Sequence, residues 1–443
     1  MIEKLNDFNI KTDNEKIVYY NFGKYIIFDL ITLNYVVVDK VKYDELLEDY
    51  RDYLMNKPNI SVNETEINRK NKEQFLDVMF ITSFDCNYSC IYCYQKEYKN
   101  IKSKMNTDDF DKIKEFYQIY DDLFDTNSII RTIGVMGGEP FLDDNFEFIE
   151  SIFENFPKAQ IAFTTNGSNI SKYKSLIKRN KGRIKSVVLS VDGDKKTHLK
   201  YRTTFDNKFY DNIWDTLEFL LNNDIKVTIN SVYHPEENNS YPSFFDILEK
   251  YGWLENKFSV KFDLDLMKTQ SNEKGDIYLN VVKKSFKKLI ELDDRANYIG
   301  QNFINYTETE MLGMIKLRDS LIPYKHCGIT LKPSYTFLPT GNVVSCLGSS
   351  DPRLIMGTYK PRVSINKENI ERIYNRDVRN MPQCQECKYK YFCKAGCIVE
   401  NFKKNDNLDN GYCSRWKEED YTKSLENVFD YLIAEEIKNA EKY

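Results

Sequence analysis

Between residues 75 and 267, short apolar runs alternate with longer stretches whose apolar positions recur at helical spacing. The short runs are FLDVMFITSF, IIRTIGVM, AQIAFTTNG, IKSVVLSVDG, KVTINSVY and FSVKFDLDLM. Each is rich in β-branched or aromatic residues and reads as a strand. Stretches such as DFDKIKEFYQIYDDLF and IWDTLEFLLNN lie between them and read as amphipathic helices. Strands alternating with helices specify a parallel sheet. Six such units are counted, against eight in a closed β/α barrel, so the expected fold is α/β, a partial (β/α)6 TIM barrel over residues 76–300. In sheets of this kind chemistry gathers at the carboxyl ends of the strands.

The flanks differ. Residues 1–75 carry KIVYYNFGKYIIFDLITLNYVVVD, which reads as two or three short strands, and then KYDELLEDYRDYLMN at helical spacing. They are expected to form a small N-terminal α+β module. Residues 301–415 are rich in turn residues and cysteine. Residues 416–443 place Tyr421, Leu425, Val428, Leu432 and Ile433 on one face of a C-terminal amphipathic helix.

Composition narrows the function. The chain has 443 residues, enough for two or three domains, and a formal net charge of −5. Nothing in that balance favours nucleic acid or an anionic membrane. The most basic stretch, KYKSLIKRNKGRIK at 172–185, reads as a solvated helix face. No stretch reaches the roughly 18 apolar residues of a membrane span, and the polar N-terminus lacks a signal-peptide core. A cytoplasmic location is expected, where structural disulfides are rare. Ten cysteines in such a protein point to metal or redox chemistry.

Cys86, Cys90 and Cys93 stand in CNYSCIYC, two residues beyond the first strand run. Structural zinc wants four closed ligands, and no further Cys or His occurs between 94 and 197. Three thiolates holding a [4Fe–4S] cluster leave one iron open for substrate or cofactor. This C-x3-C-x2-C, with Tyr92 before the last cysteine, resembles the signature of the radical S-adenosylmethionine (SAM) enzymes. The resemblance implies that the open iron binds the amine and carboxylate of SAM. MGGEP at 136–140 looks like that family's glycine-rich motif for the methionine amine, with Gly137, Gly138, Glu139 and Pro140 as cofactor-binding candidates. Glu139 supplies a negative partner for an ammonium. Ser190 and Asp192 of SVDG resemble residues lining the nucleoside pocket, Arg202 falls where related enzymes hold the methionine carboxylate, and Asn166 of TTNG closes the third strand at the same rim. Each has a plainer reading as a turn or surface residue.

Seven cysteines remain. Cys327 and Cys346 flank Gly341, CQECKYKYFCKAGC supplies Cys384, Cys387, Cys393 and Cys397, and Cys413 follows alone. Two zinc sites are one reading of such pairs. The order and spacing resemble the SPASM domain, which holds two auxiliary [4Fe–4S] clusters. By that resemblance Cys384, Cys387, Cys393 and Cys413 surround the distal cluster, and Cys327, Cys346 and Cys397 the proximal one. Three clusters with one open iron then need one more thiolate than the ten present, leaving a proximal iron without a cysteine.

SPASM proteins include sulfatase maturases and enzymes that crosslink ribosomally made peptides. The former carry an Asp directly after the second cysteine of that domain; here the position is Leu347. The N-terminal strands suit capture of an extended leader peptide by strand addition. The function expected is a peptide maturase that makes a 5′-deoxyadenosyl radical and joins precursor residues through a thioether or carbon–carbon bond. Its partners would be the precursor with its leader and an electron donor such as flavodoxin or ferredoxin. A sulfatase-maturase-like oxidase forming formylglycine and a non-catalytic iron–sulfur carrier are the alternatives.

Overall fold

The computed structural model describes residues 16–29, 33, 35–39, 73–263, 272–301, 334–347, 351–387, 389–407, 409–411 and 418–440. The helix expected over residues 42–56, and Cys327 and Cys413, lie outside them. The chain divides into two units, residues 72–304 with 332–373, and residues 1–71 with 305–331 and 374–443.

In the second of these, strands β1 (Lys16–Asn21), β2 (Lys24–Asp29) and β3 (Tyr35–Asp39) form an antiparallel sheet in chain order. Ile26 and Phe28 alternate along β2 and are fully buried, as period-two spacing requires. They pack with Ile17 and Leu33 against Leu425, Val428, Phe429, Leu432 and Ile433 of the C-terminal helix Glu418–Ala440. Tyr19 Oη and Asn21 Nδ2 both donate to Asp430 Oδ1, at 2.8 and 2.6 Å. The N-terminal strands and the C-terminal helix, read from sequence as separate segments, therefore share one core. Each has one apolar face, and each covers the other's.

The other unit is built on a large sheet. β4 (Glu73–Ile81), β6 (Asn127–Met136), β7 (Gln160–Thr165), β8 (Ile184–Ser190), β10 (Val227–Val232) and β11 (Ser259–Asp263) are the six expected strands. They lie side by side in chain order, all parallel. Helices α1 (Asp109–Phe124), α2 (Phe146–Asn155), α3 (Lys174–Arg179), α4 (Lys195–Tyr201), α5 (Lys208–Leu221), α6 (Tyr241–Lys250) and α7 (Asn272–Leu292) run between and after them. β12 (Gly300–Gln301) pairs parallel with β11 at one edge, and the sheet stays open, a partial barrel.

Two pairings have no local sequence signal. β13 (Ser334–Phe337) adds parallel to β4, and β14 (Asn342–Val344), β15 (Ile355–Thr358) and β16 (Ser364–Ile365) extend it antiparallel. This part of 301–415 belongs to the main sheet. The β13–β14 turn needs Gly341, whose φ is +99° and whose Cβ would lie 2.3 Å from the Lys360 carbonyl oxygen. The second is β5 (Tyr88–Cys90) with β9 (Arg202–Thr204), an antiparallel ribbon placing Cys90 opposite Arg202. Phe80 anchors the core beneath β4, with the rings of Phe110, Phe148, Phe156 and Phe337 centred 5.7–6.3 Å away.

Candidate active site

The loop after β4 carries Cys86, Cys90 and Cys93, and each neighbouring rim segment grips it. From the end of β6, Gly138 N donates to Ser83 O and Glu139 N to Asp85 O, both at 2.8 Å. A Cβ on Gly138 would sit 2.1 Å from the Asp85 carbonyl oxygen, and one on Gly137 2.7 Å from that of Ser83. These glycines were expected to open the backbone to a methionine amine; they let two backbones meet at the root of the cysteine loop.

Glu139 also differs from expectation. Its carboxylate is fully buried and turned inward, accepting from Phe141 N, Thr165 Oγ1 and Asn166 N at 2.9, 2.5 and 2.7 Å. Burial pushes its pKa up to about 7, against those three bonds. It staples the rim of β6 to that of β7, and its neighbour Pro140 offers its carbonyl to Asn145. Asn166, so positioned, donates to Asn87 Oδ1 at 2.8 Å and approaches Cys86 Sγ at 3.9 Å. From α4, Tyr201 O accepts from Ile91 N.

Beyond β8, Asp192 is fully buried. Its Oδ1 accepts from Val232 N at 3.0 Å and lies 3.1 Å from Arg202 Nε, a charge contact without hydrogen-bond alignment. Its Oδ2 accepts from Tyr92 Oη and lies 3.4 Å from His234 Nε2. Burial would raise its pKa, but Arg202 and the histidines outweigh that and hold the carboxyl well below the usual range. Arg202 Nη1 reaches Cys90 Sγ at 3.9 Å, and its guanidinium carbon sits 5.4 Å from the Tyr92 ring centroid. Ser190 is half-buried at the end of β8.

His198 and His234 completed this rim without being singled out in the sequence. Asp192 N donates to His198 Nδ1, which places the proton of the neutral ring on Nε2. Burial, then Arg202, pushes His198 down to about 3. His234 stacks on Tyr201 at 3.5 Å between centroids. It stands two residues past β10, at the strand end where rim chemistry is looked for.

The donor set fits an iron–sulfur cluster. Three thiols share one short loop, and side-chain N–H groups from Asn166 and Arg202 point at two of them. Desolvation by the surrounding protein first, then Glu139 and the other thiols, push Cys86 up to about 12; a coordinating thiol is deprotonated outright by its metal.

The other described cysteines fall in two places. Cys346 follows β14, and Leu347 beside it packs on the apolar cluster of Ile81, Phe84, Tyr98, Leu338 and Val344. Cys384 is buried with Val378, Met381 and Ala395. Cys384, Cys387, Cys393 and Cys397 lie within one turn-rich stretch, where Lys394, Ala395 and Gly396 all have positive φ and swing the chain from Cys393 to Cys397.

Six parallel strands with a three-cysteine loop after the first define a radical SAM fold. Residues 80–246 match the family model of the radical SAM superfamily, so this part of the chain is a radical SAM domain. That family uses a [4Fe–4S] cluster and SAM. The chain is 24% identical over 402 residues to the radical SAM cyclopropyl synthase TigE of Paramaledivibacter caminithermalis, covering 84% of this chain and 77% of that protein. Its fold is similar to that of anSMEcpe, solved with AdoMet and a Kp18Cys peptide, with a TM-score of 0.54, 19% identity, and 84% of this chain and 100% of that one covered. It is also similar to that of Streptococcus suis SuiB, solved with its precursor peptide SuiA, with a TM-score of 0.53, 14% identity, and 91% and 98% covered. Among the described residues no helix is long and apolar enough to cross a membrane.

Proposed function

We propose that this radical SAM enzyme matures a ribosomally made precursor peptide, oxidatively joining two of its atoms. The observation that carries the reading is the cysteine loop, gripped by each neighbouring rim segment at the carboxyl ends of a six-stranded parallel sheet. Cys86, Cys90 and Cys93 would hold a [4Fe–4S] cluster that, with SAM bound, supplies a 5′-deoxyadenosyl radical. The remaining seven cysteines would hold two auxiliary [4Fe–4S] clusters, Cys327, Cys346 and Cys397 at one and Cys384, Cys387, Cys393 and Cys413 at the other. Gly137, Gly138, Glu139 and Pro140 fix the loop's root, and these residues with Asn166, Ser190, Asp192 and Arg202 are the ones that would border bound SAM.

A peptide substrate is supported by the peptides bound to anSMEcpe and SuiB. The likeness to a cyclopropyl synthase over most of the chain supports carbon–carbon bond formation over a thioether. Leu347, packed in an apolar cluster, offers no carboxylate base and so speaks against formylglycine formation. For the leader, β3 suits strand addition: among the described residues it pairs only with β2. For the electron donor, exposed Lys96 and Lys102 bracket the outer face of the cysteine loop, bonded to Ile91 O and Asp85 Oδ1. Such a face suits an acidic carrier of the flavodoxin or ferredoxin kind.

The test is anaerobic incubation of the iron-loaded protein with SAM, dithionite and each short peptide encoded beside its gene. We expect 5′-deoxyadenosine together with one peptide lighter by two hydrogens. Deoxyadenosine without any change in peptide mass would contradict the peptide reading while leaving the radical chemistry intact.

A further inference from the structure

Arg202 and Asp192 form a buried pair of opposite charges beside one cysteine of the loop. Asp192 is fully buried and Arg202 nine-tenths so. The pair is asymmetric. The guanidinium, through Nη1, comes to 3.9 Å from Cys90 Sγ, held over the Tyr92 ring and across the β5–β9 ribbon from Cys90 itself. The carboxylate lies behind it, tied to Val232 N, Tyr92 Oη and His234 Nε2. Asp192 therefore fixes Arg202 and, through Tyr92, the loop between Cys90 and Cys93.

We infer that Arg202 and Asp192 are positioning residues that set the reduction potential of the cluster held by Cys86, Cys90 and Cys93. The inference rests on that loop holding an iron–sulfur cluster. Reduction adds one electron, and hence one negative charge, to a centre within a few ångströms of a buried guanidinium. In a poorly screened interior, a positive charge favours the reduced form and a negative one the oxidised form. Hydrogen bonds to the sulfurs and net charge are the protein's levers on such potentials. Their opposite charges make the two members push in opposite directions, and Arg202, which reaches Cys90 Sγ itself, is the stronger. A role in packing alone has no such sign.

The experiment is a redox titration of the loaded protein with dithionite, one electron per cluster, followed by electron paramagnetic resonance, without SAM or peptide. Iron and sulfide content are checked first, so a loop that never holds a cluster is seen separately. Compared with the wild type, Arg202→Gln should shift the midpoint to more negative values. Asp192→Asn, which leaves the guanidinium uncompensated, should shift it to more positive values. Arg202→Lys, which keeps the charge, should stay near the wild type. If Arg202→Gln fails to load, Asp192→Asn against Arg202→Lys makes the same comparison, with Asp192→Asn expected higher. Shifts of the same sign in Gln and Asn variants, unchanged potentials, or Arg202→Lys behaving like Arg202→Gln would overturn the inference.

Discussion

At the residue scale, Glu139 shows how a site side chain can be named from a motif and still be placed otherwise. The sequence offers a carboxylate next to two glycines at a strand end. It does not say whether that carboxylate faces the pocket or turns in to three backbone and side-chain donors. The inward rotamer wins because Phe141 N, Asn166 N and the Thr165 hydroxyl would otherwise be buried donors with fewer partners, at a cost of about 1–3 kcal/mol each. Its raised pKa has a sign that can be measured. The ordinary value is 4.5 and the folded one about 7, so the folded state keeps its proton longer than the unfolded chain. The stability from this group is full below the ordinary value, falls as pH rises through the folded one, and is flat above it. The span corresponds to on the order of 3 kcal/mol. Denaturant unfolding at pH 5 and pH 8 should show Glu139→Gln losing less stability between the two than the wild type; equal losses would contradict it.

At the element scale, the strands of the partial barrel were readable because each is a short run rich in β-branched and aromatic residues between helical patterns. β13 was not. Ser334 pairs with Asp77 across more than half the chain, and no local pattern encodes such a partner. The β5–β9 ribbon was equally hidden, since three-residue strands carry no periodicity. The three cysteines of the site were legible through spacing, whereas the contacts that bring Asp192 and Arg202 to Tyr92 were not, because they reach it from 100 or more residues away through side-chain geometry. The C-terminal helix was legible as amphipathic; what its apolar face meets was not. Phe429, centred 5.2 Å from Phe28, now gives that face a test. Phe429→Ala should cost about 3–5 kcal/mol. Amide hydrogen exchange in β1 and β2 should rise with it, since both rest on that ring. Unchanged protection in those strands would show that the helix does not hold the sheet.

At the scale of the whole molecule, the ten cysteines, the parallel sheet and the matches to radical SAM proteins converge on one chemistry. The loop at Cys86, Cys90 and Cys93 is the part of the chain that chemistry cannot do without. The most direct measurement is 5′-deoxyadenosine released from SAM, anaerobically and with dithionite, by the wild type and by a variant with Cys86, Cys90 and Cys93 all changed to Ala. The wild type should form it. The variant should form none, and with two auxiliary clusters on the other seven cysteines, as proposed, it should keep roughly two thirds of its iron, because the loop cluster is the one proposed to bind SAM. Undiminished deoxyadenosine from the triple variant would contradict the assignment of the loop as the radical-generating centre.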